Sequence, residues 1–181
     1  RLNLSDNRIQ DITPLASTKR LTSLYLRNNE IRDISPLSDS CGRLFALDLN
    51  GNEVADVSAL RGLDTVVALY LADNRIANIA PLGDISSRVK LIDFSGNRIA
   101  DPAPLAKLTT LIQLDLGGNR IEDAGAIAPL SNLTYLSLTD NRLASIEPVT
   151  KLDHLNALYL KGNAGIDVAD ISTEDLILKD F

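Results

Sequence analysis

Hydrophobic residues recur along this chain in a fixed relation to a set of asparagines. Asn7, Asn29, Asn52, Asn74, Asn97, Asn119, Asn141 and Asn163 are separated by 22, 23, 22, 23, 22, 22 and 22 residues. In each full unit apolar residues stand eight, five and three places before the asparagine, as Leu21, Leu24 and Leu26 do, or Leu111, Leu114 and Leu116. Two places after it come Ile9, Ile31, Val54, Ile76, Ile99, Ile121 and Leu143. Eight places after come Leu15, Leu37, Leu60, Leu82, Leu105, Ile127, Val149 and Ile171. A period of this size over nearly the whole chain marks a solenoid of stacked units, none of which can bury its apolar face alone.

Each unit divides into a strand, a turn and a return. The L-x-L triplet has the period of two of a short strand with one buried face, and stacking places such strands in a parallel sheet about 4.8 Å apart. Just before each asparagine stands Asp6, Asn28, Gly51, Asp73, Gly96, Gly118, Asp140 or Gly162. These residue types best tolerate left-handed backbone angles, so a sharp turn is predicted after every strand. On the return side, Thr13-Pro14, Ser35-Pro36 and Glu147-Pro148 put proline where a short helix or helical turn begins. A buried asparagine amide can bridge backbone groups of neighbouring coils, and leaving such groups unpaired costs about 1–3 kcal/mol each. A ladder of asparagines follows.

The pattern LxxLxLxxNxI resembles the leucine-rich-repeat family. Its continuation in Asp33-Ile34-Ser35-Pro36-Leu37 is similar to the 22-residue class of bacterial internalins and a eukaryotic phosphatase regulator. The resemblance runs from Leu2 to about Ile171. It implies an α/β solenoid: a right-handed superhelix with a parallel concave β-sheet and short helical or 3-10 turns on the convex side. Residues 1–181 are expected to form one domain of about eight repeats, with a concave arc of about 35 Å from seven strand spacings.

Two irregularities stand out. The unit after Asn29 has one extra residue, and Cys41 falls where Leu63 and Leu108 sit in theirs, so it reads as a small core hydrophobe. After Asn163 the pattern decays, with Gly165 at a position otherwise apolar, and residues 172–181 read as a terminal cap or a truncated ninth repeat. The chain opens in mid-pattern with no signal peptide and no visible amino-terminal cap, and is expected to be a fragment or processed product.

Composition narrows the function. A net charge of -6 and a pI near 4.7 argue against nucleic acid, whose phosphates need a basic surface. A single cysteine allows no internal disulfide, and no apolar run approaches the roughly 20 residues that span a bilayer. No cofactor is implied.

Residues alternating with the buried leucines must point outward, and they fall into three columns. Six places before each asparagine lie Arg1, Ser23, Ala46, Ala68, Leu91, Gln113, Tyr135 and Ala157. Four before lie Asn3, Tyr25, Asp48, Tyr70, Asp93, Asp115, Ser137 and Tyr159; two before lie Ser5, Arg27, Asn50, Ala72, Ser95, Gly117, Thr139 and Lys161. All four tyrosines of the chain fall in these 24 positions. Tyrosine favours strands in general, but tyrosine and arginine also dominate interface hot spots, burying rigid area while offering a polar tip.

Charge is sorted too, with Asp48, Asp93 and Asp115 in the middle, Arg1 and Arg27 towards one end and Lys161 towards the other. The expected site is a concave face carrying Tyr25, Arg27, Asp48, Tyr70, Asp93, Asp115, Tyr135, Tyr159 and Lys161. It would take a protein or peptide with exposed basic residues. The internalin resemblance implies a receptor-binding surface domain, and the phosphatase-regulator resemblance an intracellular scaffold. A sensor or scaffold part of a larger multidomain protein is a third reading. Bacterial surface and cytoplasm both stay open as locations.

Other chemistry is weaker. Arg8, Arg75, Arg98, Arg120 and Arg142 follow the ladder by one place, and Asp11, Asp33, Asp56, Asp101, Asp123 and Asp167 by four; mutual neutralisation along the solenoid edge is expected. Asp93 and Asp115 stand in one column on adjacent strands, a separation of roughly 5 Å that retaining glycosidases use. An open sheet, however, lacks the pocket that pushes two carboxyl pKa values apart. His154, the only histidine, lies at a variable exposed position. Residues Asp48 to Glu53 imitate part of a calcium loop, but without the glutamate at loop position 12. No enzyme and no metal site is expected.

Overall fold

The computed structural model describes residues 1–38, 42–85, 87–167 and the backbone of 178–180. Its strands follow the L-x-L triplets: β1 Leu2–Asn3, β2 Ser23–Tyr25, β3 Ala46–Asp48, β4 Ala68–Tyr70, β5 Leu91–Asp93, β6 Gln113–Asp115, β7 Tyr135–Ser137, β8 Ala157–Tyr159 and β9 Leu178–Asp180. They form one parallel sheet in chain order. Register is constant from β1 to β8: Leu24 pairs with Leu47, Leu69 with Ile92, Leu114 with Leu136. A column in the sequence is therefore a row in space. The ninth strand adds one to the eight that the asparagines predict, with Leu178 in register with Ala157. Cys41 and the stretch from Ile171 to Ile177 lie outside the described residues, as does Phe181.

The core lies between the sheet and the returning segments as a single cluster running from Ile12 to Leu160. Leu24, Leu47, Leu69, Leu114 and Leu136 are essentially inaccessible, because each strand's inward side chain meets its counterparts above and below. Phe94 stands where the other coils carry leucine and is fully buried.

The ladder is formed as the chemistry requires. The Asn97 amide donates to the carbonyls of Leu71, Phe94 and Ser95 at 2.8–3.2 Å, and its Oδ1 accepts the Ile76 N–H at 3.0 Å. Leu71 and Ile76 belong to the preceding coil, so one side chain ties two coils. Asn52, Asn74, Asn119 and Asn141 repeat the arrangement. Asn7, at the first coil, is exposed and reaches only its own carbonyls at Leu4 and Ser5. Each of the eight residues before the ladder has positive φ, from 49° at Asp140 to 81° at Gly162. Glycine at position 96 serves a second purpose: a Cβ there would lie 2.3 Å from the Asp73 Oδ1 of the previous coil.

The returns are 3-10 turns at Thr13–Ser17, Ser35–Leu37, Ser58–Leu60, Ala80–Asp84, Ala103–Lys107, Gly125–Ile127 and Val149–Lys151. Pro14, Pro36, Pro81 and Pro104 sit at their first two positions, where a missing N–H costs nothing. The aspartates four places after the ladder start these turns. Asp11, Asp33, Asp56, Asp101 and Asp123 each accept the backbone N–H two residues on, at 2.7–2.8 Å.

This corrects the expected neutralisation of the arginine row. Among the described residues the salt bridges are Arg32–Glu53, Arg75–Glu53 and Lys151–Glu147, and none uses those five aspartates. The physical reason is proximity: the N–H lies two residues away, whereas a long arginine must lose rotamer freedom to reach a solvated carboxylate. Hydrogen bonds from the Thr13 side chain and N–H hold the Asp11 carboxyl below its usual range. The Ser35 N–H and hydroxyl do the same for Asp33. The resulting support is complete above the unfolded carboxyl value and is lost as pH falls through the lowered one.

Replacing Asn97 by alanine strands buried groups in two coils and is expected to destabilise the fold by about 2–5 kcal/mol. Asn7→Ala at the exposed first rung should cost less than about 1 kcal/mol. Urea unfolding of the two variants measures this, and equal losses would contradict the inter-coil role of the buried rungs.

Candidate functional site

The short strands leave the three alternating columns on one face. Constant register lines up Tyr25, Asp48, Tyr70, Asp93, Asp115, Ser137 and Tyr159 across β2 to β8. The four tyrosines and the three aspartates are half-buried, whereas Arg27 and Lys161 are exposed. The predicted residues form a continuous band with two aromatic ends. At one, the Arg1 guanidinium lies 4.9 Å over the Tyr25 ring. At the other, Tyr135 and Tyr159 pack with ring centroids 5.4 Å apart.

The middle of the band is acidic and partly desolvated. Asp48 is raised above the ordinary carboxyl range by burial, against the lowering effects of the Asn50 N–H and the Arg27 charge. Asp115 is also raised, chiefly by burial; the Gly117 N–H opposes this and neighbouring Asp93 adds to it. Tyr135 donates its hydroxyl to the Asp115 Oδ2 at 3.3 Å. Its own pKa is pushed up to about 12, first by burial and then by the Asp115 charge.

Sequence reasoning missed a structural task of these carboxylates. Asp48, Asp93 and Asp115 each turn Oδ1 to the N–H two residues on, closing the strand at Asn50, Ser95 and Gly117 at 2.9–3.0 Å. The second oxygen of Asp115 accepts the Tyr135 hydroxyl. Between Tyr70 and Tyr135 lies an open depression of about 170 Å³, based on Leu91 and Ile92 and edged by Asp93, Gln113 and Asp115. A larger hollow of about 380 Å³ on the return side, lined by Ala144, Ile146 and Thr150 among others, contains none of the predicted residues.

A second omission is apolar. Phe45 and Ile112 stand seven places before their asparagines and are 49% and 36% exposed, the large hydrophobic side chains most open to water among the described residues. Val67 in the same column is half-buried, as is Leu91 one place on. The signal was present in the sequence, since this column carries Thr22, Lys90, Thr134 and Asn156 elsewhere. It lies just outside the strict alternation that defines the strand.

The geometry gives little to catalysis. Asp93 and Asp115 are register partners on β5 and β6. Asp115 is tied to Gly117 and Tyr135, and Asp93 to the Ser95 N–H and hydroxyl. The space above them is open, so water is not excluded. His154 is exposed, its Nδ1 2.9 Å from the Ser131 carbonyl. In the calcium-like stretch, Asn50 Oδ1 accepts the Ala72 N–H, Asn52 is a ladder rung, and Glu53 pairs with Arg32 and Arg75. Among the described residues no three His, Cys, Asp or Glu side chains converge to hold a metal, and no helix is long and apolar enough to cross a membrane.

Family models described as Leucine Rich repeats (2 copies) and Leucine Rich repeat match residues 1–39 and 107–128. A search of curated proteins finds no match. Among solved structures, internalin C2 of Listeria monocytogenes is 31% identical, with a TM-score of 0.90 over 98% of this chain and 78% of that one. An internalin of the same organism, inlF, is 28% identical with a TM-score of 0.92; 98% of this chain spans about half, 52%, of its length. The leucine-rich-repeat ectodomain of the Arabidopsis thaliana receptor kinase GASSHO1/SCHENGEN3, in complex with Casparian strip integrity factor 2, is 26% identical. Its TM-score is 0.77, over 90% of this chain and 21% of that one. Proteins of this fold are generally interaction modules rather than enzymes. With its asparagine ladder, its parallel sheet and this likeness to internalin C2, the chain belongs to the internalin-like leucine-rich-repeat family.

Proposed function

We propose that this chain is a recognition module that binds a protein or peptide on its concave face. The observation that carries the reading is the gathering of all four tyrosines, half-buried with their rings on one surface, around a row of three aspartates. Rigid aromatic rings lose little conformational entropy on binding, and their hydroxyls still find partners. The carboxylates favour a partner with exposed lysine or arginine, because a cation facing Asp115 would offset the burial that raises its pKa. The contacting set is Tyr25, Arg27, Asp48, Tyr70, Asp93, Asp115, Tyr135, Tyr159 and Lys161. The whole module reads as one domain. Its match to half of a longer internalin favours a role as the binding part of a larger protein.

Tyr70→Ala combined with Asp93→Ala is expected to weaken the cognate partner about 10-fold or more, as hot-spot losses do. The fold should lose less than about 2 kcal/mol, since both side chains are half-exposed. Calorimetric titration with a thermal melt reads both quantities, and unchanged affinity would remove the concave face from the interface. A pH titration offers a separate check. Asp115 binds its proton more tightly in the free fold than when unfolded, so the free chain gains stability as pH falls through its raised value. A basic partner should bind best above that value and lose affinity as the carboxyl protonates. Affinity that is flat or rises on acidification would contradict the charge complementarity.

A further inference from the structure

Two carboxylates edge the depression between Tyr70 and Tyr135 without a cation of the chain to pair with. Its base is formed by β5 at Leu91 and Ile92, Tyr70 of β4 and Tyr135 of β7 bracket it, and Asp93, Gln113 and Asp115 edge it. Asp93 and Asp115 are register partners on adjacent strands, which stand about 4.8 Å apart. Tyr135 is held twice, by its hydroxyl on the Asp115 Oδ2 at 3.3 Å and by its ring against Tyr159. In the five central coils the three outward columns, from Ala46 to Thr139, carry no lysine or arginine. Lys90, one place before Leu91, is exposed and does not line the depression. Neither Asp93 nor Asp115 joins a salt bridge among the described residues.

We propose, resting on the concave-face reading, that this depression is the socket for one arginine side chain of the partner. Size sets the scale: about 170 Å³ falls below the roughly 300–1,000 Å³ of small-molecule sites and suits a single side chain. Charge sets the sign. An apolar side chain there would take two carboxylates out of water with nothing to pair them, which is costly. A bare calcium ion is a poor occupant, because it takes roughly 6–8 oxygens. Oδ1 of Asp93 and of Asp115 is already held by the N–H of Ser95 and Gly117, and no third acidic side chain converges among the described residues. Between the two cationic side chains the arrangement favours guanidinium. Its acceptors, two carboxylates and the Gln113 side-chain carbonyl, are spread around a rim. A planar fork with five donors reaches spread acceptors, whereas an ammonium gathers its donors at one point. A flanking tyrosine ring offers the guanidinium plane a stacking surface, and Leu91 takes the aliphatic stem. Guanidinium is also the more weakly hydrated cation, so it enters a half-buried place at lower cost. Burial raises Asp115 above its ordinary range, and a cation beside it offsets that effect.

The probe is N-acetyl-arginine amide, titrated to about 50 mM into the isotope-labelled full chain in about 0.15 M salt, with backbone amide shifts read by NMR. N-acetyl-citrulline amide keeps the shape without the charge, and N-acetyl-lysine amide keeps a charge without the fork. The arginine probe is expected to saturate with a Kd of about 1–10 mM, its largest shifts falling at Leu91, Asp93, Gln113 and Asp115. The lysine probe should bind about 3-fold weaker or more, and the citrulline probe about 10-fold weaker or more. Asp93→Asn with Asp115→Asn keeps an oxygen for the Ser95 and Gly117 N–H groups, and should weaken the arginine probe about 5-fold or more with the melting temperature little changed. The localisation of shifts in the wild-type chain tests the site independently of how that variant folds. Citrulline binding as tightly as arginine would overturn the cation site, and lysine binding as tightly would overturn the choice of guanidinium. Shifts scattered over the acidic surface, indifference to the double variant, or no saturation would overturn the socket. The concave-face reading fails separately, on the cognate partner with Tyr70 and Asp93 replaced.

Discussion

The amide of each buried asparagine sets the terms for everything else. A carboxamide has two donor hydrogens and an acceptor oxygen, and Asn52, Asn74, Asn97, Asn119 and Asn141 direct both kinds at backbone groups of two neighbouring coils. Any one such bond is worth only about 0.5–1.5 kcal/mol net, but an orphaned buried donor or acceptor costs more. A coil shifted by one residue would bury unpaired groups and turn its leucines towards water. The rungs therefore fix pitch and register together, and no buried side-chain nitrogen or oxygen among the described residues lacks a partner.

Fixed register turns a repetitive sequence into a readable face. Because the inward leucines and asparagines perform the structural work, the outward columns are free to differ from coil to coil, and the chain concentrates its tyrosines there. That freedom is incomplete. Asp48, Asp93 and Asp115 each close their own strand with one oxygen, so acidity on the face is partly a consequence of how the strands end. Ser137 and Gly117 are buried although they occupy outward columns, and a side chain at Gly117 would meet Thr139 and Ser137. The interface is shaped by packing within the face as well as by chemistry towards a partner.

Much of this was legible from spacing alone. The strands, the positive φ before every rung and the proline-led returns follow from residue type at a fixed offset. Those offsets hold because each coil sees the same neighbours. What escaped prediction was interaction that crosses the offsets or competes with them. The aspartates after the ladder looked like partners for the arginines, yet a backbone N–H two residues away prevails over a solvent-separated cation. Phe45 and Ile112 went unnoticed because they precede the strand, where alternation no longer says which way a side chain points. Tyr135 occupies a different column from the other tyrosines and reaches Asp115 and Tyr159 across the sheet, a contact no single column reveals.

If the shared rungs govern both the fold and the face, the N–H groups they capture must open only when neighbouring coils separate. Native-state hydrogen exchange at Ile31, Val54, Ile76, Ile99 and Ile121, whose N–H groups donate to the next asparagine, measures this directly. The account predicts opening free energies close to that of global unfolding for these five amides. Exchange at the rate of exposed turn amides, in a chain that otherwise stays folded, would contradict it.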